Sequence, residues 1–565
     1  MKRVTLVLVT AAFLPMFLPI MVHAQDFFSA GETGFYNAPK ALIRTDASLW
    51  DQDFKHNPAL LDPKSDLEFI MDSYYTGSTS DVSVDFNFGS PLGLLYYGFM
   101  DAEYRIDNTG ADIGFMKRLN DRSSLGLVFS YSREEFDGDG SFAQFFDFGP
   151  LGGFDYLYGT LDAGMSSNTF ALTALYDIDL SGDLSLGAGI SYAYINNKME
   201  YDISGSGLLT LFSRPENVSI DKEMTFDYHR ISPVFGMSVR PVDPLVINAS
   251  LTAGIYLGSV ERVSNLFDDY PTLVIPTSTY TEKLDSNDLL VLDVAFRTDG
   301  AYEIIPERLS LPFFFDCTYG TARWSVDGAA SGYFHPAIYY APFQGPGTIE
   351  YGNTTEHWSV SVGGGVDYTV GGFDLSALIG YSHLDLKNSF EMDNYVVSSV
   401  VLAGGGPLRG LTAFSQDIEE TWDVFSFELG ASREFSEKLS ADVCARYDIG
   451  WGQMDLETWY TSPFDFTPVG GFPGSSIEMD LSDREVAHTL TLSAYLAYSP
   501  VEYLNLSFQG MVGIPLSEIN YTLGGDAAGG VFGSSWRYAL GGPSSMDMHY
   551  RGWDYGGMFN IEYAF

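Results

Sequence analysis

Apolar and polar side chains alternate one by one along much of this chain. Near residue 430, for example, Phe425, Phe427 and Leu429 occupy odd positions, and Ser426 and Glu428 occupy the even positions between them. The same two-residue period occurs at 184–192 and 504–514. Because successive side chains of a β-strand point to opposite faces, each of these segments predicts a strand with one apolar face.

Short turn-forming sequences separate the predicted strands at a regular spacing. Successive turns lie 61 to 66 residues apart, and a longer connection lies between each pair of turns. Turn residues of these types interrupt strands for definite backbone reasons. The turns are Asn120-Asp121-Arg122, Ser181-Gly182-Asp183, Val242-Asp243-Pro244, Pro306-Glu307-Arg308, Gly371-Gly372, Ser436-Glu437-Lys438 and Pro500-Val501-Glu502.

This alternation of short turns with long connections favours a membrane barrel over a soluble β-sandwich or propeller, which share the strand periodicity. In an outer-membrane barrel the short turns face the periplasm, the long loops face outside, and the apolar strand faces meet lipid. We therefore predict an all-β, antiparallel, up-and-down transmembrane barrel at residues 66–565. We expect about sixteen strands, within a range of about 14 to 18, and a further turn at Gly89-Ser90-Pro91 would give the highest number.

The start of the chain predicts export. Lys2 and Arg3 precede an apolar stretch at 4–22, and Val22-His23-Ala24 has the small and medium side chains of a cleavage site. This three-part layout is that of a secretory signal peptide, which we assign to residues 1–24.

The end of the chain carries an alternating aromatic pattern that resembles the targeting signal of outer-membrane barrels. The resemblance implies insertion by the barrel-assembly machinery. The residues of this assembly signal are Phe559, Ile561, Tyr563 and Phe565.

Composition and charge narrow the range of functions. The chain has 29 basic and 74 acidic residues, and its net charge of −45 argues against a nucleic-acid partner. His383 and Asp385 form the nearest local pair of a histidine with a carboxylate, but no nucleophile accompanies them. No zinc spacing or phosphate-binding loop occurs either. We expect no catalytic residue, no metal and no cofactor.

The polar strand faces must line the lumen if the apolar faces meet lipid. Charges of both signs fall on these faces. These charges have two possible roles: they solvate the interior or brace a plug, or they determine transport selectivity. The assigned lumen charges include Asp112, Arg118, Arg230, Arg240, Asp293, Arg297, Asp316, Glu428 and Arg446.

The long connections are rich in aromatic and aliphatic residues. Exposed apolar patches of this extent usually mark a binding surface, so the loops predict a hydrophobic groove at the outer mouth. Loops that pack on each other as a lid are a compatible alternative. The candidate groove residues are Phe145, Phe146, Phe148, Phe154, Leu209, Phe212, Leu411, Phe414 and Trp536.

The segment before the first strand shows little alternation and contains Asn57-Pro58-Ala59. It resembles the N-terminal region of the long-chain fatty-acid transporter (FadL-like) family, in which an Asn-Pro-Ala segment precedes the first strand. The resemblance implies that residues 25–65 form a plug, or hatch, inside the barrel. It also implies that hydrophobic substrates pass from a loop groove into the lumen and leave sideways through the wall.

These features together predict an outer-membrane channel, surrounded by lipid, for the passive uptake of hydrophobic or amphipathic small molecules. Two alternatives remain open at this point. One is a general porin, with a preference for cations as one form of it. The other is a barrel that serves secretion or assembly.

Overall fold

The computed structural model describes the barrel and a short part of the segment before it. The predicted signal peptide and residues 25–56 of the predicted plug lie outside the described residues. The described residues are 57–61, 63, 65–89, 95–147, 154–209, 214–269, 278–334, 343–401, 407–461, 476–516, 519–530 and 540–565. Among them, no helix is both long enough and apolar enough to cross a membrane.

One short 3₁₀ turn and seventeen β-segments make up the described structure. The turn is Pro58–Leu60. The β-segments are β1 (Leu67–Gly89), β2 (Leu95–Asn120), β3 (Ser123–Asp147), β4 (Phe154–Ser181), β5 (Leu184–Leu209), β6 (Arg214–Val242), β7 (Leu245–Asp269), β8 (Ser278–Ile305), β9 (Leu309–Phe334), β10 (Phe343–Val370), β11 (Phe373–Val401), β12 (Pro407–Ser436), β13 (Leu439–Thr461), β14 (Ser476–Val501), β15 (Leu504–Pro515), β16 (Ile519–Gly530) and β17 (Leu540–Ala564).

These segments form one closed antiparallel barrel of sixteen wall strands. β1 pairs with β2 on one side and with β17 on the other, which closes the wall. β15 and β16 are the lower and upper halves of one interrupted wall strand, because both pair with β14 and β17. The predicted fold and the favoured number of strands are therefore confirmed. Gly89-Ser90-Pro91 adds no periplasmic turn, since β1 and β2 are joined at the opposite end of the wall.

All seven predicted tight turns lie between consecutive antiparallel strands at one end of the barrel. Gly371 and Gly372 have φ values of 62° and 80°. Two central residues with positive φ match the twist of a two-residue hairpin, and glycine adopts this conformation without a steric penalty. We call this the periplasmic end, because outer-membrane barrels place their short turns there.

Apolar side chains cover the outside of the barrel near the periplasmic end. Leu429 and Phe508 are 67% and 57% exposed although both are large and apolar. Such a surface would be unfavourable in water, and it is explained by contact with lipid hydrocarbon. Closed antiparallel barrels with an even number of strands and an apolar outer belt are the architecture of bacterial outer-membrane proteins. The chain is therefore an outer-membrane β-barrel.

The apolar outer surface near the periplasmic end is called the lipid belt here. The strands extend well beyond it, and above it the apolar and polar side chains exchange faces. A tilted membrane strand needs only about 9–11 residues, whereas most strands here have 23 to 30. In β4 the apolar side chains near the periplasmic end, such as Phe170 and Leu172, are exposed. Further up, Leu161 and Met165 are buried and Asp162 faces outward. The barrel thus has its apolar face outside in the membrane and inside above it.

Candidate functional site

The Asn57-Pro58-Ala59 motif is docked against the inner wall near the periplasmic end. The Asn57 side chain caps the 3₁₀ turn, because its Oδ1 accepts from the Ala59 amide at 3.2 Å. Its Nδ2 donates to the carbonyl of Met237 on β6 at 3.1 Å. Pro58 and Ala59 are buried. One side chain therefore both shapes the turn and fixes it to the wall.

Glycines in β5 and β6 make room for this motif. A Cβ atom on Gly187 would lie 2.1 Å from the Ala59 nitrogen, and one on Gly236 would lie 2.0 Å from Asn57 Oδ1. Both distances are far below van der Waals contact, so any other residue would displace the motif. The close approach of the chain to the wall thus depends on these two glycines.

The residues that follow the motif continue along the inner wall. Leu61 is 2% exposed and belongs to a buried apolar cluster. Arg118 of β2 donates from Nη2 to the carbonyl of Pro63. Arg118, predicted to face the lumen, therefore fixes Pro63 of the predicted plug to the wall. The other members of the cluster are Ile70, Met116, Val128 and Leu175.

Two of the predicted lumen charges form a direct ion pair. Arg230 Nη2 of β6 lies 3.0 Å from Asp293 Oδ2 of β8, and both side chains are less than a quarter exposed. The Arg230 guanidinium also lies 5.0 Å from the ring centre of Tyr256 on the intervening strand β7. This group braces three neighbouring strands from inside.

A second polar network lies inside β12 and β13. Arg446 donates from Nε to Asp448 and from Nη2 to the hydroxyl of Ser426, each at 2.8 Å. Glu428, opposite Arg446 in the register, is buried on the same inner face.

The other predicted lumen charges are distributed around the wall. Arg297 and Asp316 lie opposite each other on β8 and β9, and Asp112 is buried on β2. Arg240 is exposed at the periplasmic end of β6, where its amide bonds to the Asp183 carbonyl.

Above the lipid belt the inside of the barrel is apolar. Eight consecutive strands, β3 to β10, contribute to one buried cluster, which we call the apolar lining. The sequence alone did not predict this lining, because a polar inner face occurs only in the membrane part of each strand. The inverted alternation above the belt was the signal that could have located it. The lining includes Phe136, Met165, Ile195, Met199, Phe226, Tyr228, Tyr256, Leu289, Trp324, Val326 and Tyr351.

Several residues of the predicted groove lie in strands and not in loops. These residues do not all lie in the same part of the wall. Phe145 is within β3, where its ring stacks on Tyr97 at 5.0 Å and meets Tyr158 edge-on at 5.7 Å. By the alternation of β3 this aromatic group lies on the outer face. The backbones of Phe146, Phe154 and Leu209 lie in β3, β4 and β5, whereas those of Leu411 and Phe414 lie in β12, seven strands further round the wall. Phe148, Phe212 and Trp536 lie outside the described residues.

The C-terminal residues close the barrel. Phe559, Ile561, Tyr563 and the other residues of β17 pair with β1. The Phe565 amide donates to the Leu67 carbonyl at 2.9 Å. The residues of the predicted assembly signal thus lie at the closing seam, with Phe559 and Phe565 exposed.

The histidine–carboxylate pair suggested by the sequence is arranged differently. His383 Nδ1 lies 2.8 Å from Asp423 on β12, while Asp385 accepts from the Trp358 indole at 3.0 Å. By the strand alternation, these side chains face outward. Among the described residues, no group of three or more His, Cys, Asp or Glu side chains could hold a metal ion.

Comparisons with known proteins find matches among solved structures alone. No family model matches the chain, and no curated protein matches it. Among solved structures it is similar to a FadL homologue of Pseudomonas aeruginosa, with 12% identity, a TM-score of 0.31, and coverage of 90% of this chain and 93% of that chain. It is also similar to the toluene transporter TodX of P. putida, with 8% identity, a TM-score of 0.29, and coverage of 92% and 95%. The monoaromatic hydrocarbon channel CymD shows 12% identity, a TM-score of 0.29, and coverage of 91% and 92%. Identities and TM-scores of this size concern the barrel fold and do not extend to function.

Proposed function

We propose that this protein is an outer-membrane channel for the passive uptake of hydrophobic or amphipathic small molecules. The observation that carries the proposal is the apolar lining of β3 to β10. A porin that conducts water and ions has a polar interior. Here, Ile195, Phe226 and Val326 are almost fully buried inside the barrel above the membrane. An apolar solute gains about 25 cal/mol for each Å² of surface that it transfers from water to such a lining. Its entry requires no coupled energy source.

The docked plug motif supports a route that does not run straight into the periplasm. Asn57, Pro58 and Ala59 lie against β5 and β6 near the periplasmic end, below the lining. Polar groups such as Arg230 and Asp293 lie between the motif and the apolar lining. An amphipathic solute could place its polar end toward them.

A break in the wall supports a sideways exit. The Leu516 amide donates to the His488 carbonyl at 2.9 Å, and strand pairing with β14 resumes only at Gly524, opposite Ser482. Leu516 and Val486 beside this break are exposed and apolar. A hydrophobic solute that leaves the lumen here would enter the outer part of the lipid belt without crossing water.

Uptake and conductance measured on one set of variants test the proposal. Cells that produce the protein should take up radiolabelled toluene faster than cells that lack it. The protein in a planar bilayer should show no wide, steady conductance. Replacing two lining residues, Ile195→Asn and Val326→Asn, should reduce uptake several-fold. Ser204→Asn is the matched control, because Ser204 faces outward on the same strand as Ile195.

Other outcomes would replace the proposal by one of the two alternatives. A large ohmic conductance in the intact protein, with unchanged uptake in the lining variants, would indicate a general porin. Protein clients that co-purify with the barrel, combined with no uptake above background, would indicate a secretion or assembly barrel.

A further inference from the structure

Several polar atoms on the inner face of the barrel have no hydrogen-bond partner among the described residues, and two of these atoms belong to neighbouring residues above the lipid belt. These two are the indole Nε1 of Trp324 on β9 and the amide Oδ1 of Asn353 on β10. Trp324 is 2% exposed and Asn353 is 4% exposed. The two residues lie directly opposite each other in the register of β9 and β10. A donor and an acceptor are therefore neighbours on one inner surface, yet they do not bond to each other.

Polar groups elsewhere in the lining are paired in part: Asn197 Oδ1 of β5 also has no partner, whereas Asn197 Nδ2 has one. The hydroxyl of Tyr228 accepts a hydrogen bond from Asn197 Nδ2 at 3.0 Å. A buried indole N–H usually finds a partner as well, because leaving it unpaired in an apolar environment costs free energy. The unpaired atoms of Trp324 and Asn353 thus point to a molecule that binds between them.

The surroundings of Trp324 are aromatic. The Phe226 ring meets it edge-on, with ring centres 5.9 Å apart, and the Phe390 ring lies 6.5 Å away. Phe390 in turn lies 6.1 Å from Tyr351, and the Arg262 guanidinium lies 3.8 Å from the centre of the Tyr351 ring. Edge-on and tilted contacts at these distances are those that aromatic rings prefer. An aromatic ligand would find the same contacts here.

We propose that Trp324 and Asn353 form a specificity site for aromatic molecules that carry a hydroxyl group. The hydroxyl oxygen accepts from Trp324 Nε1–H, and the hydroxyl hydrogen is donated to Asn353 Oδ1. A hydroxyl satisfies a donor and an acceptor together with a single heavy atom. A methyl group of similar size leaves both protein atoms unpaired, and sites of this kind discriminate strongly against such analogues. This inference rests on the proposed function, since it names the solutes that the apolar lining prefers.

Binding of two nearly isosteric probes to the full-length protein tests the inference. Equilibrium dialysis in detergent would compare 2-naphthol with 2-methylnaphthalene, after subtraction of partitioning into empty micelles. We expect the intact protein to bind 2-naphthol about tenfold more tightly, the effect of one or two buried hydrogen bonds. Trp324→Phe keeps the ring and removes the donor, and Asn353→Leu removes the acceptor. Each should reduce the ratio toward one without weakening the binding of 2-methylnaphthalene.

The control variant is Trp358→Phe. Trp358 lies on β10 as Asn353 does, but its indole donates to Asp385 on the outer face, so the ratio should not change. Equal binding of the two probes by the intact protein would overturn the specificity site and leave the proposed function standing. Binding of neither probe above the micelle background would contradict both. An unchanged ratio in both lumen variants would also reject the site.

Discussion

Asp202 of β5 lies directly opposite Asp221 of β6 on the outer face of the barrel, above the lipid belt. On its other side Asp202 faces Asp162 of β4, and the same row continues through Asp139 and Glu103. Like charges directly opposite each other destabilise a sheet. Burial of Asp202, followed by the charges of Asp221 and Asp162, raises the pKa of the Asp202 carboxyl above 3.8.

Replacing Asp202 should therefore stabilise the barrel in a pH-dependent way. A carboxyl with a raised pKa binds its proton more tightly in the folded protein than in the unfolded chain. Its contribution to stability is fully present below pH 3.8 and is lost as the pH rises through the folded-state pKa. We expect Asp202→Asn to raise the free energy of unfolding at neutral pH by up to about 1 kcal/mol. The gain should vanish in strong acid and shrink in high salt.

Asp137 provides the matched control for this experiment. It lies on β3 two residues from Asp139, but its cross-strand neighbour on β2 is Arg105 instead of an acid. Asp137→Asn removes an attraction and should not stabilise the protein. Denaturant titrations of the two variants in the same detergent, at neutral and acidic pH, measure the difference. Equal effects of both variants would contradict the assigned repulsion.

The plug motif gives a second prediction. Gly187→Val and Gly236→Val each place a side chain where Ala59 and Asn57 now lie. We expect both variants to displace the motif, to increase ion conductance in planar bilayers several-fold, and to make the N-terminal segment more sensitive to added protease. Strand pairing of β5 with β6 should persist, because the valine side chains point into the lumen and not into the ladder.

Gly164→Val is the control for the plug variants. A Cβ atom at Gly164 meets nothing within 4 Å, and Gly164 lies in β4, next to β5. Conductance of this variant should equal that of the unaltered protein. If all three variants conduct alike, or if the two plug variants stay closed, the motif does not block the lumen.

The membrane part of the fold could be predicted from the sequence because two local rules act there together. Turn residues such as Gly371-Gly372 determine where strands end, and lipid requires an apolar residue at every second position, as at Phe427 and Leu429. Above the lipid belt the outer face meets water, so the rule that apolar residues face outward no longer holds there. Leu161 and Met165 of β4 are apolar and face inward there. The phenylalanine-rich segment around Phe145 does not follow the lipid-facing pattern either, so it resembles a loop in sequence although Phe145 is part of β3.

Part of the candidate site could not be found by any local rule. Asn57-Pro58-Ala59 was recognisable as a motif, but its hydrogen-bond partner Met237 lies 180 residues further along the chain. The need for Gly187 and Gly236 follows only from the position of Asn57, Pro58 and Ala59 against the folded wall. Likewise, the unpaired atoms of Trp324 and Asn353 become apparent only when β9 and β10 are placed in register.

The Arg230–Asp293 ion pair gives a third prediction. Both side chains are largely buried in the lumen, and the contact is 3.0 Å. We expect Arg230→Met and Asp293→Leu each to destabilise the barrel, since each leaves a partly buried charge behind. The double variant should recover part of the stability. The coupling energy in the double-mutant cycle should be about 1.5–3 kcal/mol, the usual strength of a hydrogen bond to a charged group.

An ion pair at the surface provides the control for that double-mutant cycle. Lys283 and Glu261 lie 2.8 Å apart on β8 and β7, but both side chains are at least half exposed. Exposed ion pairs contribute little, so Lys283→Met and Glu261→Leu should show weak coupling. Coupling of the same size in both cycles would mean that the lumen at Arg230 is as wet as the outer surface.

The C-terminal residue gives the last prediction. Phe565 is exposed on the lipid side, its ring lies 4.7 Å from that of Tyr563, and its amide bonds to Leu67 at the closing seam. We expect Phe565→Ala to reduce the amount of assembled barrel several-fold, as measured by heat-modifiable mobility in membranes.

Phe508→Ala is the control for this variant. It removes a similarly exposed phenylalanine that also faces lipid but lies away from the chain end, where it pairs with Phe559. If the reduced apolar area were the cause of the defect, the two variants would assemble equally poorly. A defect confined to Phe565→Ala would instead mean that the assembly machinery recognises the terminal ring, because both substitutions remove a phenyl group of the same size from the lipid-facing surface.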